Sequence, residues 1–157
     1  MQAFGPAVLR LGLGVIFVAH GAQKLFGMWG GGGIAGTAAF FDQLGLGPAV
    51  PLAVLVGLVE FVGGLMLLLG AFTAVAALPL AVIMMTAIWT VHAPHGFFLD
   101  WSRAPEAGFG YEFNLSVIAG LVCLALTGPG ALSIDGRRAH SAELSAAGRA
   151  RLRAGKV

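Results

Sequence analysis

Hydrophobic and polar positions fall in long blocks along this chain. An apolar run fills residues 6–26, interrupted by Arg10, His20 and Lys24. A second fills 51–70, with Glu60 as its only charge. A third, 72–91, has only Thr73, Thr86 and Thr90 as polar residues. A fourth, 111–127, opens at Tyr111-Glu112 and closes at Gly128-Pro129-Gly130. A bilayer core of ~30 Å needs about 20 apolar helical residues. The first three runs meet that length; the fourth must start at Tyr111-Glu112 or sit in locally thinned bilayer. Such runs are too long for strands, and helices of a soluble bundle carry a polar outer face. The pattern predicts an all-α membrane protein, a bundle of four transmembrane helices, with Pro79 kinking the third.

The connections refine this picture. Gly70-Ala71 is a tight turn between the second and third spans. Residues 34–44 follow a glycine run, 30–33, and predict a short amphipathic helix lying at the interface; the run lacks the glycine spacing and the lysine of a phosphate loop. Phe40 and Phe41, and Phe97, Phe98 and Trp101 in the loop before the fourth span, are placed near the headgroups. That loop also carries Asp100, Arg103, Glu106 and Glu112. Asp135 reads as the polar terminus of the fourth span. Residues 1–135 thus form the membrane domain. Residues 136–157 form a tail with few large apolar side chains, read as solvated and partly disordered. Six of the nine Lys and Arg lie in it. The positive-inside rule puts the tail in the cytoplasm, and four spans then put the N-terminus there too. The first run resembles a signal peptide only loosely, because the residues before it are apolar rather than basic.

Composition narrows the functional classes. Of 157 residues, 58% are apolar and 10% charged, against roughly 25% charged in soluble domains; mean hydropathy is +0.90. The net charge of +2 gives no reason to expect nucleic-acid binding. A single cysteine, Cys123, excludes a disulfide framework, a CxxC redox pair and a cysteine-based metal centre.

In a membrane protein the informative residues are ionisable groups inside the spans. His20 and Lys24 are four apart and share a helix face. Glu60 sits in mid-span and must be protonated or paired. His20 lies six residues below Phe26 and Glu60 nine below Pro51, a depth difference of ~4.5 Å. A Glu60–His20 contact is therefore expected, with Lys24 above it and Arg10 within reach from the inner side. His92, Glu112 and Asn114 fall at the same outer level and are candidates for the same pocket. A structural pairing of helices is the alternative for all of these, and snorkelling is the alternative for Lys24 and Glu112. The histidines and carboxylates offer no helical HxxxH or ExxH spacing, so no metal site is assigned. Gly12, Gly14, Gly57, Gly63 and Gly64 are read as permitting close helix packing.

Leu9-Arg10-Leu11 with Gly14, His20-Gly21, Lys24-Leu25-Phe26-Gly27, Gly36-Thr37-Ala38 with Phe40-Phe41, and Leu44-Gly45-Leu46 form an ordered set. Glu60 with Gly63-Gly64, His92 with Gly96-Phe97-Phe98, Gly110-Tyr111-Glu112-Phe113-Asn114, and Leu126-Thr127-Gly128-Pro129-Gly130 with Ser133 and Asp135 continue it. Over residues 9–135 the chain resembles the DoxX family of small bacterial membrane proteins. The resemblance implies a multi-pass protein of the bacterial plasma (inner) membrane. Some family members resemble subunits of quinone-reducing oxidoreductases; others are implied to partner superoxide dismutase and a sulfurtransferase. Lacking paired cysteines, this chain differs from thiol-oxidising quinone enzymes of similar size.

Two functions are set against each other, the first implied by that resemblance and read on these residues. In the first, the chain is a subunit of a membrane redox complex with a quinone as its cofactor. Glu60 and His20 then act on the quinone; Lys24, His92, Glu112, Asn114 and Arg10 bind it, and electrons come from a protein partner. In the second, it is a non-catalytic membrane docking module or a small-molecule binding or transport module. Its surroundings are membrane lipid, and a homo-oligomer is compatible with either.

Overall fold

The computed structural model describes residues 4–100 and 108–154, with side chains in the last helix described to residue 149. Trp101, Arg103, Glu106 and Lys156, and the side chains of Arg151 and Arg153, lie outside the described residues. The described chain is helical throughout, without strands. Its helices are α1 (Phe4–Phe26), α2 (Gly33–Gln43), α3 (Ala49–Leu69), α4 (Thr73–Ala87), α5 (Glu112–Thr127) and α6 (Ile134–Ala154). A 3-10 turn, Met28–Gly30, precedes α2. α4 passes through Pro79 without ending, widens into a π turn at Ile88–His92 and finishes as a 3-10 turn at Ala93–His95. α1, α3 and the continuous segment Thr73–His95 are long and apolar enough to cross a membrane. α5, with 16 residues, is only ~24 Å long at 1.5 Å per residue.

The four apolar helices close a ring: α1 packs on α3, α3 on α4, α4 on α5, and α5 back on α1. The densest contact is between α1 and α3, and glycines explain it. A Cβ on Gly21 would lie 2.4 Å from the Phe61 backbone nitrogen, and one on Gly64 2.6 Å from that of Val18. The two backbones therefore touch. Gly14, Gly57 and Gly63 are similarly enclosed, as expected, whereas Gly12 faces open space. Gly21 is the tightest position in this helix pair. The apolar core, Leu13, Phe17, Leu67, Ala76, Ala77, Leu80, Val117, Leu121 and Leu124, occupies the half of the bundle nearer Arg10.

The Arg10 end is tied by polar groups. Arg10 is 1% exposed and its guanidinium donates to the carbonyls of Leu67, Leu68, Pro129, Ala131 and Leu132. A guanidinium has five N–H donors, so α1 is bound to the end of α3 and to the chain after α5 with no donor left over. Asp135 is the start of α6 rather than the terminus of the fourth span. Its carboxylate accepts from the Phe72 and Thr73 backbone N–H groups, both at 2.9 Å, and from the Thr73 hydroxyl. From the start of α6 it caps the N-terminus of α4, where the helix dipole favours an anion. Arg138 lies 5.1 Å over the Phe72 ring.

The tail departs from expectation. It forms α6, capped by the Ser133 hydroxyl, which accepts from the Gly136 N–H at 3.1 Å. Its alanines, arginines and leucines are strong helix formers, which the low hydrophobicity of the segment concealed.

Gly21→Ala is expected to destabilise the protein by about 1–3 kcal/mol through overpacking, while Gly12→Ala leaves it unchanged; thermal unfolding in detergent micelles compares the two. Burial alone raises the Asp135 carboxyl, but the hydrogen bonds from Thr73 and Phe72 and the nearby Arg138 charge outweigh it and hold the group below its ordinary value. A lowered folded-state value means the carboxylate stabilises the fold above the ordinary range. That contribution is lost as pH falls below roughly 4. Asp135→Ala, which removes the cap, should cost about 0.5–2 kcal/mol at neutral pH. It should also flatten the acid limb of the stability profile.

Candidate functional site

The site forms where α1 and α3 are closest. With Gly21 against Phe61, the side chains one turn further along α1 cross the α3 surface at Gly57. A Cβ on Gly57 would lie 2.8 Å from Leu25 Cδ2 and 3.4 Å from the Lys24 Cβ. The bare glycine thus seats Leu25 against α3, with Lys24 beside it, and the Lys24 side chain reaches Glu60. The ammonium meets Glu60 Oε2 at 2.6 Å, a short charge-assisted hydrogen bond. The Glu60 side chain is 2% exposed and that of Lys24 24%. An isolated carboxylate at that depth is costly, and the pairing removes the cost.

Here the structure corrects the expected partner. Glu60 is bound by Lys24, and His20 makes no ion pair with it. His20 and Glu60 line the same cavity, but it is the long, flexible lysine side chain that reaches the carboxylate.

The pair lies on the wall of a cavity of about 740 Å³, within the usual ~300–1,000 Å³ of small-molecule sites. Lys24, Glu60, His20, His92 and Asn114 all line it. His20 is an exposed residue on the wall. His92 Nδ1 is 2.7 Å from the Phe109 carbonyl, and the buried Asn114 amide lies 3.7 Å from Met84 Sδ. The remaining walls are almost wholly apolar: Ile16 and Phe17 from α1, Leu52 to Val59 on one face of α3, and Pro79 to Val91 on one face of α4. Phe40, Phe41 and Leu44 of α2, with Leu46 after it, close the Lys24 end. The helix predicted over 34–44 is therefore part of the site.

Two candidates fall elsewhere. Arg10 is at the far end of the bundle, consumed by backbone carbonyls, and does not reach Glu60. Glu112 does not line the cavity; its Oε1 accepts from the Leu99 N–H at 2.8 Å. Together with the Glu112 N–H to Phe97 O and Tyr111 N–H to Gly96 O bonds, it clasps the loop between α4 and α5. The Phe97 ring packs edge-on against Tyr111, centroids 5.3 Å apart. Gly110 is enclosed by the carbonyls of Gly96, Phe97 and Phe98. The motifs around Gly96 and Gly110 thus build the roof support beside His92, Phe109 and Asn114.

Comparison with known proteins finds relatives among membrane proteins. The DoxX family model matches residues 5–93. An uncharacterized membrane protein of Mycobacterium tuberculosis is 34% identical, covering 87% of this chain and 85% of that protein. The inner membrane protein YqjF of Escherichia coli is 31% identical, covering 86% of this chain and 92% of its own length. CatD of Bacillus subtilis, provisionally named an oxidoreductase, is 31% identical, covering 83% and 84%. No solved structure matches the chain significantly.

Removing the ammonium alone strands the buried carboxylate. Lys24→Met should lower stability by about 3–5 kcal/mol, the cost of breaking a buried pair from one side. The double variant Lys24→Met/Glu60→Leu should recover much of that loss. Unfolding of both variants in micelles measures the difference, and equal losses would contradict the pairing.

Proposed function

This chain belongs to the DoxX family of membrane proteins, and we propose that it is the integral membrane subunit of a quinone-linked redox system in the bacterial plasma membrane. α1, α3, α4 and α5 are its four spans. Residues 1–135 form the membrane domain, and 136–157 a cytoplasmic tail on the same side as the N-terminus. The concentration of Lys and Arg in the tail supports that orientation. The Lys24 end of the bundle then faces outward.

The observation that carries the reading is the contrast within the cavity: one charged pair at one end, apolar walls over the rest. The residues fit a quinone in donor type and in volume. When bound, a quinone supplies a two-electron, two-proton acceptor. The Lys24 ammonium donates a hydrogen bond to a headgroup carbonyl while Glu60 holds it in place. His20, exposed on the wall, holds and delivers a proton. His92 and Asn114 orient the ring from α4 and α5. The apolar walls exclude water and take the isoprenoid tail. Electrons come from a redox protein partner, since the chain has no thiol pair. Arg10 and Glu112 position the bundle ends and touch no ligand.

The test is binding of a short-chain quinone to the purified protein in lipid nanodiscs. His20→Ala and Glu60→Gln should each weaken binding about tenfold or more, the effect of losing a hydrogen bond to a charged group at about 1.5–3 kcal/mol. Absence of quinone binding, or affinities unchanged in both variants, would sink the redox reading in favour of a docking or binding module.

A further inference from the structure

The cavity is open on one side, and the opening has a definite place. Leu52, Leu55 and Val59 follow one face of α3, and Pro79, Val82 and Thr86 one face of α4, each at helical spacing. These two faces line the cavity from opposite sides. Nearer Arg10 the same two helices are in contact, with the Gly63 Cα region against Leu80 and the short turn at Gly70-Ala71 joining them. α3 and α4 therefore meet at that end and part toward the other, where Phe40 and Phe41 of α2, which packs on α1 and α3, line the cavity. Leu55 and Val82 line the cavity and yet are 58% and 64% exposed. They are the rim of a side opening, and in a bilayer that opening faces lipid tails.

We propose that the gap between α3 and α4 is a lateral portal through which a lipophilic ligand passes head first from the bilayer to the Lys24–Glu60 pair, leaving its apolar tail between the two helices. The headgroup assignment rests on the reading above; the route and the requirement for a tail are new. A polar ligand dissolved in water has no advantage at an apolar rim, whereas one already in the membrane leaves hydrocarbon only at its head.

The route is tested in the full chain, in lipid nanodiscs, first by thiol labelling. Cys123 is exposed on α5 and outside the cavity, so Cys123→Ser removes it as a competing thiol, and Val59→Cys supplies a reporter on the wall. An alkyl maleimide dissolved in the lipid should label this thiol. Leu55→Trp/Val82→Trp should slow labelling about tenfold, the factor that ~1.4 kcal/mol on the barrier gives. Leu126→Trp, at an 82% exposed position on α5, is the control for a tryptophan on the lipid face and should leave the rate unchanged. Leu55→Ala/Val82→Ala, which widens the rim, should raise it. Labelling at the same rate in the narrowed and widened rims, or labelling chiefly by a water-soluble sulfonated maleimide, overturns the portal. A quinone with a long tail should lose more affinity than a tailless one in the narrowed rim. If no quinone binds any variant but labelling still follows the rim, the portal stands and the quinone reading falls.

Discussion

The backbone contact between α1 and α3 sets the geometry of the whole molecule. Gly21 and Gly64 carry no side chain, so neither helix can slide or rotate without a clash against Phe61 or Val18. The registration carries to both ends. Toward one end it seats Leu25 on Gly57 and brings Lys24 to Glu60. Toward the other it brings Arg10 to the final carbonyls of α3. In hydrocarbon there is little hydrophobic force between helices, so close packing and satisfied polar groups must supply the specificity. This helix pair uses both.

Burial of charge is handled differently at the two ends. The Arg10 guanidinium is saturated by backbone carbonyls and has no donor left for a ligand. Asp135 works in the same way, its oxygens engaged by the start of α4. Lys24 and Glu60 neutralise each other instead, and they do so on the wall of a cavity, with the lysine partly exposed. Three ammonium hydrogens are available and one carboxylate oxygen is engaged, so the lysine retains capacity to donate. The difference between a fastening and a site lies in that unspent capacity.

The cavity follows from how the remaining helices are attached. The short turn at Gly70-Ala71 holds α3 and α4 together at one end, and the core of α4 and α5 side chains fills that half. At the other end α2 is inserted between the ends of α1 and α3 and covers the space. The clasp of Glu112 on the 96–100 segment supports the neighbouring roof beside His92. The described parts of this connection also reach the cavity, whose lining includes Leu99, Phe109 and Gly110 beside His92 and Asn114.

Much of this was legible in the residue order. Long apolar runs have one solution in a bilayer, the helix, so α1, α3 and α4 followed from length and hydropathy, and α2 from its amphipathic pattern. The rarity of charge within the runs reduced the candidate list to Arg10, His20, Lys24 and Glu60. The sequence could also place these residues by depth, because helix rise is fixed. It could not place them by rotation, and partnership depends on rotation. Thus His20 and Lys24, four apart on one face, were both compatible with Glu60, and Arg10 seemed within reach although its guanidinium is spent on carbonyls whose positions only folding creates. Glu112 and the tail show the same limit: a loop clasp requires the facing strand of backbone, and helicity of a polar segment leaves no mark in hydropathy. The sequence by itself determined that this chain lives in a membrane as apolar helices with few charges inside. The tertiary structure alone decided which charges meet, because a glycine contact between two helices fixes their relative rotation to within one side chain, and no one-dimensional period encodes that angle.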